Sequence, residues 1–301
     1  MGTPKAALEW HGSTLLRRTV GIAARATGGP VVVVRASGQD LPALPAGTIV
    51  VDDPRAGKGP VQAIAAGLAA LEGQAETAFV TSTDLPFLHP AFIAAVLRVL
   101  AVPVGGPDVA LPVARGYQQP LAAAYRTSLA GLAERLVTEG QLRPAFLFAR
   151  CAVTRLDDAA LLADPVLAAL DPELDSVLNV NTPADYQAAR RRPAPEVTVE
   201  LSGALAGAAR PGRRRRVRAA TLRAAVAASG LPSGWPVTAA VNGGQATRDL
   251  AEPLAAGDAV FLASAGVVAG DNEGTGRLGA IPSAARVTPG NDGLAGGPDI
   301  R

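Results

Sequence analysis

One cysteine, Cys151, and two histidines, His11 and His89, stand in a chain of 301 residues. A single thiol excludes an internal disulfide framework and fits a reducing compartment. With so few histidines no Cys/His pair stands out, and Cys151, between Arg150 and Ala152 at the start of an expected strand, reads as structural. Aromatic residues make up only 4% of the chain, so aliphatic side chains must supply most of the core. The formal charge of +2 gives no global basic field, which argues against a nucleic-acid partner. No apolar run approaches the roughly 20 residues of a membrane helix, so no membrane partner is expected. The first residues carry no secretory apolar segment, and Ala6 occupies the position where a myristoylation signal wants Ser or Thr. A cytoplasmic location is the expectation.

What is present is a globular composition, 49% hydrophobic with 33 Gly and 25 Pro, in a chain long enough for two domains. Ser13-Thr14 open an amphipathic helix with Leu15, Leu16 and Val20 on its apolar face. The β-branched run Val31 to Val34 predicts a strand covered on both faces, and Thr48 to Val51 predicts the next. Helices through Gly67–Leu71 and Pro90–Leu100 flank a strand at Phe79-Val80. Strands follow at 108–113, 118–125 and 152–154, with a helix near 127–138 and a last helix from Pro183 through Ala189. This alternation predicts an α/β fold with a doubly wound, mostly parallel sheet over residues 1–190. The charged, Pro-rich residues 191–195 read as a linker. Residues 196–270 read as a smaller α+β domain of two strands, a helix and further strands. Residues 271–301, rich in Gly, Pro, Asp and Asn without periodicity, read as a disordered tail.

The stretch Ala78-Phe79-Val80-Thr81-Ser82-Thr83-Asp84-Leu85-Pro86-Phe87-Leu88 carries the chemistry. A buried strand there runs into a small polar turn and leaves one carboxylate, Asp84, at its carboxyl end. In open α/β sheets, ligands sit outside the carboxyl ends of strands, so Asp84 suits a metal or nucleotide contact; alone, it suits a turn or cap equally well. Gly59-Pro60 before an Ala-rich helix could place backbone N–H groups on a nucleotide, or could be an ordinary strand–helix turn. It is no Walker loop, because Lys58 is followed by Gly59 rather than Ser or Thr. Asn181-Thr182-Pro183, taken alone, is an ordinary helix cap.

No single motif is specific, but their order is. MGTPKAALEWHG, DDPRAGKGPVQAIAAGL, FVTSTDLPFL, YQQPLAAAY and LNVNTPADY occur in the sequence seen in the molybdenum cofactor guanylyltransferases, the MobA-like nucleotidyltransferases, which residues 1 to about 190 resemble. The resemblance implies a Rossmann-like domain that transfers GMP from GTP to the phosphate of molybdopterin with Mg²⁺, releasing pyrophosphate. It implies that Gly2 and Lys5 end a glycine-rich loop with Lys5 facing the triphosphate, and that Asp84 is the metal ligand. Asp53, less so Asp52, resembles the carboxylate near the guanine, with Gly59 and Pro60 also on the nucleotide. Asn179 and Asn181 resemble the polar pair near the metal and the attacking group, and Gln119-Pro120 would lie on the cofactor side. Other molybdenum cofactor biosynthesis proteins are expected as partners. Rival readings are CMP transfer to the same cofactor, guanylyl transfer to another small phosphate, and a noncatalytic carrier or scaffold. The family's loop begins with a buried strand and a Leu-Ala-Gly-Gly segment, which this sequence does not contain, so a truncated amino terminus and weakened activity are expected.

Residues 196–270 resemble the MoaD/ThiS-type ubiquitin-like sulfur carriers through VTVELSGALAGAA, TLRAAVAASG, AAVNGGQATRD and LAAGDAVFLASAGVVAG, which implies a β-grasp fold. Such carriers act through a terminal Gly-Gly. Here Gly270 continues into Asp271, and Gly296-Gly297 is followed by Pro298, so carrier chemistry is not expected without processing. Arg213 to Arg216 read as an edge strand guarded by charge rather than a binding patch.

Overall fold

The computed structural model describes residues 4–53, 59–102, 105–202, 205, 214–232 and 234–264. Gly2, Gly57, Lys58 and the tail from residue 271 lie outside the described residues. The chain begins with a short hairpin, β1 (Glu9–Trp10) and β2 (Ser13–Thr14), which feeds α1 (Leu15–Thr27). The helix expected to open at Ser13-Thr14 begins at Leu15, with those two residues in β2 and the Thr14 side chain accepting from the Arg17 amide as its cap. There follow β3 (Val32–Ala36), β4 (Ile49–Asp53), α2 (Pro60–Ala70), β5 (Thr77–Thr81), α3 (Pro90–Arg98), β6 (Val109–Ala114), β7 (Tyr117–Gln118) and β8 (Ala122–Arg126). The first unit ends with α4 (Ala130–Thr138), α5 (Pro144–Phe148), β9 (Val153–Asp157), α6 (Asp158–Leu162), α7 (Pro165–Leu170) and α8 (Pro183–Arg191).

The expected single, mostly parallel sheet takes another form among the described residues. β3 and β4 make a parallel pair by themselves. A five-stranded sheet holds β5, β8, β6 and β7 in that order, with β9 also on β6. Only β6/β9 is parallel there; β8 runs antiparallel between β5 and β6. The expected strand over 118–125 is two strands. Pro120, which has no N–H to donate, sits in the turn between them, where Ala122 N–H bonds the Gln119 carbonyl at 3.0 Å.

The sheet is nonetheless covered on both faces. Val109, Leu111, Ala123 and Tyr125 point into one apolar cluster with α2 and α4. Their neighbours Ala110, Ala122 and Ala124 point into the other, with Phe92, Ile93 and Val96 of α3 and Leu167 of α7. That is the two-residue alternation of a strand buried on both sides. Alanine fills β8 where helices press close, and larger aliphatic side chains come from the helices. Val32, Ala78 and Val80 pack against or within the same cluster as α2, which itself lies on β3 and β4.

The second unit has β10 (Glu196–Leu201), β11 (Arg214–Arg218), α9 (Leu222–Ala228), β12 (Val237–Val241) and β13 (Ala259–Ser264). Its sheet order is β11-β10-β13-β12, with β10 and β13 parallel in the middle and antiparallel outer pairs. Val197, Val199 and Leu201 face Leu222, Ala225, Val260 and Leu262 in its own core. β11 is an edge strand, and Arg214, Arg216 and Arg218 are exposed, as the arginine run predicts. Charge on a free edge blocks pairing with another chain.

The two units meet along α1. Arg18, 7% exposed, donates to the Pro86 carbonyl at 2.6 Å and to the Leu254 carbonyl at 2.9 Å. Arg25 donates to the Pro253 carbonyl at 2.7 Å and pairs with Asp258 at 2.9 Å. Arg17 pairs with Asp249. A Cβ at Gly21 would lie 2.6 Å from the Pro253 ring, and one at Gly257 would lie 2.6 Å from Leu170 Cδ2, so both contacts depend on the absent side chain.

Candidate functional site

Asp84 sits where the sequence places it, three residues past the carboxyl end of β5. The turn is fixed from below: Leu85 and Leu88 are buried in the α3 cluster, and the Pro86 carbonyl is held by Arg18. It is fixed from the side by the Val180 amide, which donates to the Asp84 carbonyl at 2.9 Å. That bond brings in the LNVNTPADY segment. Val180 is buried with Trp10, Leu15, Tyr186 and Ala189, while Asn179 and Asn181 on either side of it are exposed. Thr182 caps α8 in a reciprocal box with Asp185, so the cap reading is correct for Thr182 and leaves the Asn181 side chain free to face Lys5. The bonds from the Thr182 and Asn181 amides hold the Asp185 carboxyl below the usual range.

Lys5 closes the arrangement. Its Nζ donates to Asp84 Oδ2 at 3.1 Å and to Asn181 Oδ1 at 3.0 Å, joining positions 79 and 176 residues away. Asp84 Oδ1 accepts from the Ser82 hydroxyl. The Asp84 side chain is 15% exposed and that of Lys5 is 36% exposed, so the pair is at the surface but not fully in it. The hairpin after Lys5 is tied to α8, because Tyr186 donates to the Glu9 carbonyl and Arg190 pairs with Glu9 at 2.6 Å. Lys5 is thus positioned by the same helix whose start carries Asn181.

The other expected residues stand as follows. Gln119 and Pro120 are half-buried beside it: the Ser82 amide donates to the Leu121 carbonyl at 3.2 Å, and the Pro120 carbonyl accepts from Tyr125 at 2.7 Å. Asp53 is buried at the carboxyl end of β4, whereas Asp52 is exposed and pairs with Arg35 at 2.7 Å. Gly59 and Pro60 form the start of α2, with no side-chain cap on its first amides. Asn179 makes no side-chain hydrogen bond to Lys5 or Asp84, unlike Asn181. Two residues escape a reading of the sequence. Ser82 reads there only as part of a polar turn. Gln62, on the first turn of α2, is 2% exposed with its Oε1 unpaired, a polar group among Val61, Ile64 and Leu68. Its signal in the sequence is a glutamine on a face that is otherwise aliphatic. Cys151 is a structural thiol: burial pushes it up to about 11, and Sγ donates to the Leu147 carbonyl at 3.2 Å.

An ammonium, a carboxylate and an amide oxygen meet at the carboxyl edge of a helix-covered sheet, groups of the types that can position and neutralise a polyanion. Residues 1–151 match the MobA-like NTP transferase domain family. A "Probable molybdenum cofactor guanylyltransferase" of Mycobacterium avium (strain 104) is 38% identical over 191 residues, which is 62% of this chain and 87% of that protein. A protein of the same name from Mycobacterium tuberculosis (strain ATCC 25618 / H37Rv) is 39% identical over 150 residues, 49% of this chain and 72% of its own length. The solved structure of molybdopterin-guanine dinucleotide biosynthesis protein A from Archaeoglobus fulgidus aligns with a TM-score of 0.48 at 23% identity, over 63% of this chain and 90% of that one. The protein is a nucleotidyltransferase. The chain belongs to the MobA-like NTP transferase family.

Proposed function

We propose that the chain transfers GMP from GTP to the phosphate of molybdopterin and releases pyrophosphate. The observation that carries this reading is the convergence of Lys5 on Asp84 and Asn181 at 3.1 and 3.0 Å, in a chain whose relatives bear that name. The donor set fits Mg²⁺. Asp84 and Asn181 offer hard oxygens around one point now held by an ammonium, and Mg²⁺ takes one or two such ligands, filling its other positions with water and substrate phosphates. When bound there, Mg²⁺ would supply charge neutralisation on the phosphates. Lys5 would face the triphosphate oxygens, Asn181 would orient the incoming phosphate, and Ser82 keeps the Asp84 carboxylate turned toward the site. Asp53 and the uncapped start of α2 at Gly59-Pro60 would hold the nucleoside, with Gln119, Pro120 and Asn179 on the acceptor side. The test is pyrophosphate release by the purified chain with GTP or CTP and molybdopterin. Release with GTP is the expected result. Release with CTP alone would replace the donor, and none with either would favour a noncatalytic scaffold.

We read the second unit, residues 196–270, as a MoaD/ThiS-like β-grasp domain after the linker at 191–195. Its β11-β10-β13-β12 order with α9 packed on the sheet supports that reading. Among the described residues of the first unit, β3 pairs with β4 in parallel and β5 pairs with β8, and the parallel pair with its helix α2 supports a Rossmann-like arrangement.

A further inference from the structure

Tyr117 is 75% exposed, the most exposed large apolar side chain among the described residues. It sits on a two-residue hairpin between β6 and β7, where Ala114 faces Tyr117 across the turn. Arg115 and Gly116 have φ of 55° and 82°, positive at both positions, which is the tight turn that matches strand twist. The tip is anchored. Arg115 N–H bonds Asp158 Oδ1 at 2.9 Å, and its guanidinium bonds the Glu173 carbonyl at 3.0 Å and Asp175 Oδ1 at 3.2 Å. An exposed aromatic ring on a pinned turn has no folding role here to account for it.

Its place in the sheet does. β8 is antiparallel to both β5 and β6, so β5 and β6 run the same way and their carboxyl ends share one edge of the sheet. Asp84 follows β5 on that edge and the hairpin follows β6. β8 lies between the two strands that carry them. The backbone between is continuous: Gln119 N–H bonds the Pro112 carbonyl at 2.9 Å, and the Leu121 carbonyl accepts from Ser82, whose hydroxyl holds Asp84. One rigid shelf therefore runs from the Lys5–Asp84–Asn181 centre to the Tyr117 ring. A flat heteroaromatic ring attached to a phosphate group stacks on such an exposed tyrosine face while its phosphate reaches back along the shelf.

We propose that Tyr117 is the stacking platform for the pterin ring of the acceptor, whose phosphate lies at Lys5 and Asn181. This rests on the reading of the acceptor as molybdopterin. Tyr117 then sets acceptor specificity and takes no part in the transfer itself. The test compares the full chain with Tyr117→Ala and Tyr117→Phe in two assays: pyrophosphate release against molybdopterin concentration at saturating GTP and Mg²⁺, and quenching of 6-hydroxymethylpterin monophosphate fluorescence without nucleotide. One lost stacking contact predicts that Tyr117→Ala raises the acceptor KM and the pterin Kd about ten-fold. The phenylalanine variant keeps both, and kcat, GTP affinity and melting temperature stay unchanged. An active parent chain with Tyr117→Ala within two-fold of it in KM and Kd overturns the role of Tyr117 alone. A parent chain that releases no pyrophosphate with molybdopterin overturns the acceptor reading, and this inference with it.

Discussion

Replacing Asp84 with alanine separates the chemistry of the site from its architecture. Two side-chain interactions are lost, the pair with Lys5 at 3.1 Å and the bond from Ser82. At an effective dielectric constant near 20, charges about 3 Å apart attract by roughly 5 kcal/mol, but pairs open to water are worth about 1 kcal/mol or less once hydration and side-chain entropy are included. The Lys5 side chain is 36% exposed and keeps its bond to Asn181, so the lower figure applies. The Ser82 hydroxyl is half-buried and adds about 1 kcal/mol. The turn itself survives, since the Val180 amide bonds the Asp84 backbone carbonyl. The expected destabilisation of about 2 kcal/mol corresponds to a fall of about 4–8 °C in melting temperature.

Activity should respond on another scale. Asp84 is the only carboxylate in contact with Lys5 among the described ion pairs, so no neighbour replaces it. Losing the carboxylate that would hold the charge-neutralising cation is expected to cost about 10³-fold, the scale of one lost electrostatic stabiliser of a transition state. Asp84→Asn, which keeps the shape and an acceptor oxygen, is expected to lose nearly as much activity with a smaller change in melting temperature. Pyrophosphate release at saturating Mg²⁺ and a thermal melt decide the matter. Turnover of Asp84→Ala within ten-fold of the parent chain would refute the reasoning.

His89 makes the structure pH-sensitive. Its Nδ1 accepts from the Ala91 amide at 3.0 Å, so Nε2 carries the proton and donates to the Ala256 carbonyl at 3.0 Å across the two units. Burial lowers its pKa from 6.5 and Arg18 adds to that, against the Ala256 bond and the carboxylates of Asp258 and Asp171. The stability it contributes is therefore complete above pH 6.5 and is lost as pH falls toward the folded pKa, by up to about 1.4 kcal/mol per unit. Denaturation at pH 7.5 and 5.5 should show a drop that His89→Gln reduces; equal pH dependence in both would contradict the assignment. Gln62→Met removes a buried acceptor with no partner, and a gain of about 1 kcal/mol in the nucleotide-free protein is expected. A loss in the same denaturation experiment would show that Gln62 is satisfied.

Much of this is legible in the residues. The valine run makes β3 readable, and Thr14 marks the start of α1. The strand-to-turn change at Thr81–Asp84 points to the site without help from the fold. Local chemistry sets these features, so local reading finds them. Strand direction is not local: nothing in Ala122-Ala123-Ala124-Tyr125 says whether the strand runs parallel or antiparallel to β5, because both directions ask for the same small, buried side chains. Arg17 and Arg18 look like the solvated side of an amphipathic helix. Arg18 is buried because its partners at Pro86 and Leu254 lie 68 and 236 positions away. Only the folded chain supplies carbonyls that offset the cost of such burial.

Those arginines also connect the appended unit to the transfer site. Arg18 bonds Pro86, two residues past Asp84, with one arm and Leu254 of the second unit with the other. The helix that carries Arg18 begins at the hairpin that positions Lys5. Both ends of the Lys5–Asp84 contact are therefore braced through α1, and the far side of α1 is held by residues 249–258. A buried guanidinium that loses one partner carbonyl keeps an uncompensated charge, and desolvation with repulsion from Arg25 already pulls Arg18 down to about 10. The second unit satisfies that charge. By this route it supports the geometry of the site whether or not it carries any chemistry of its own.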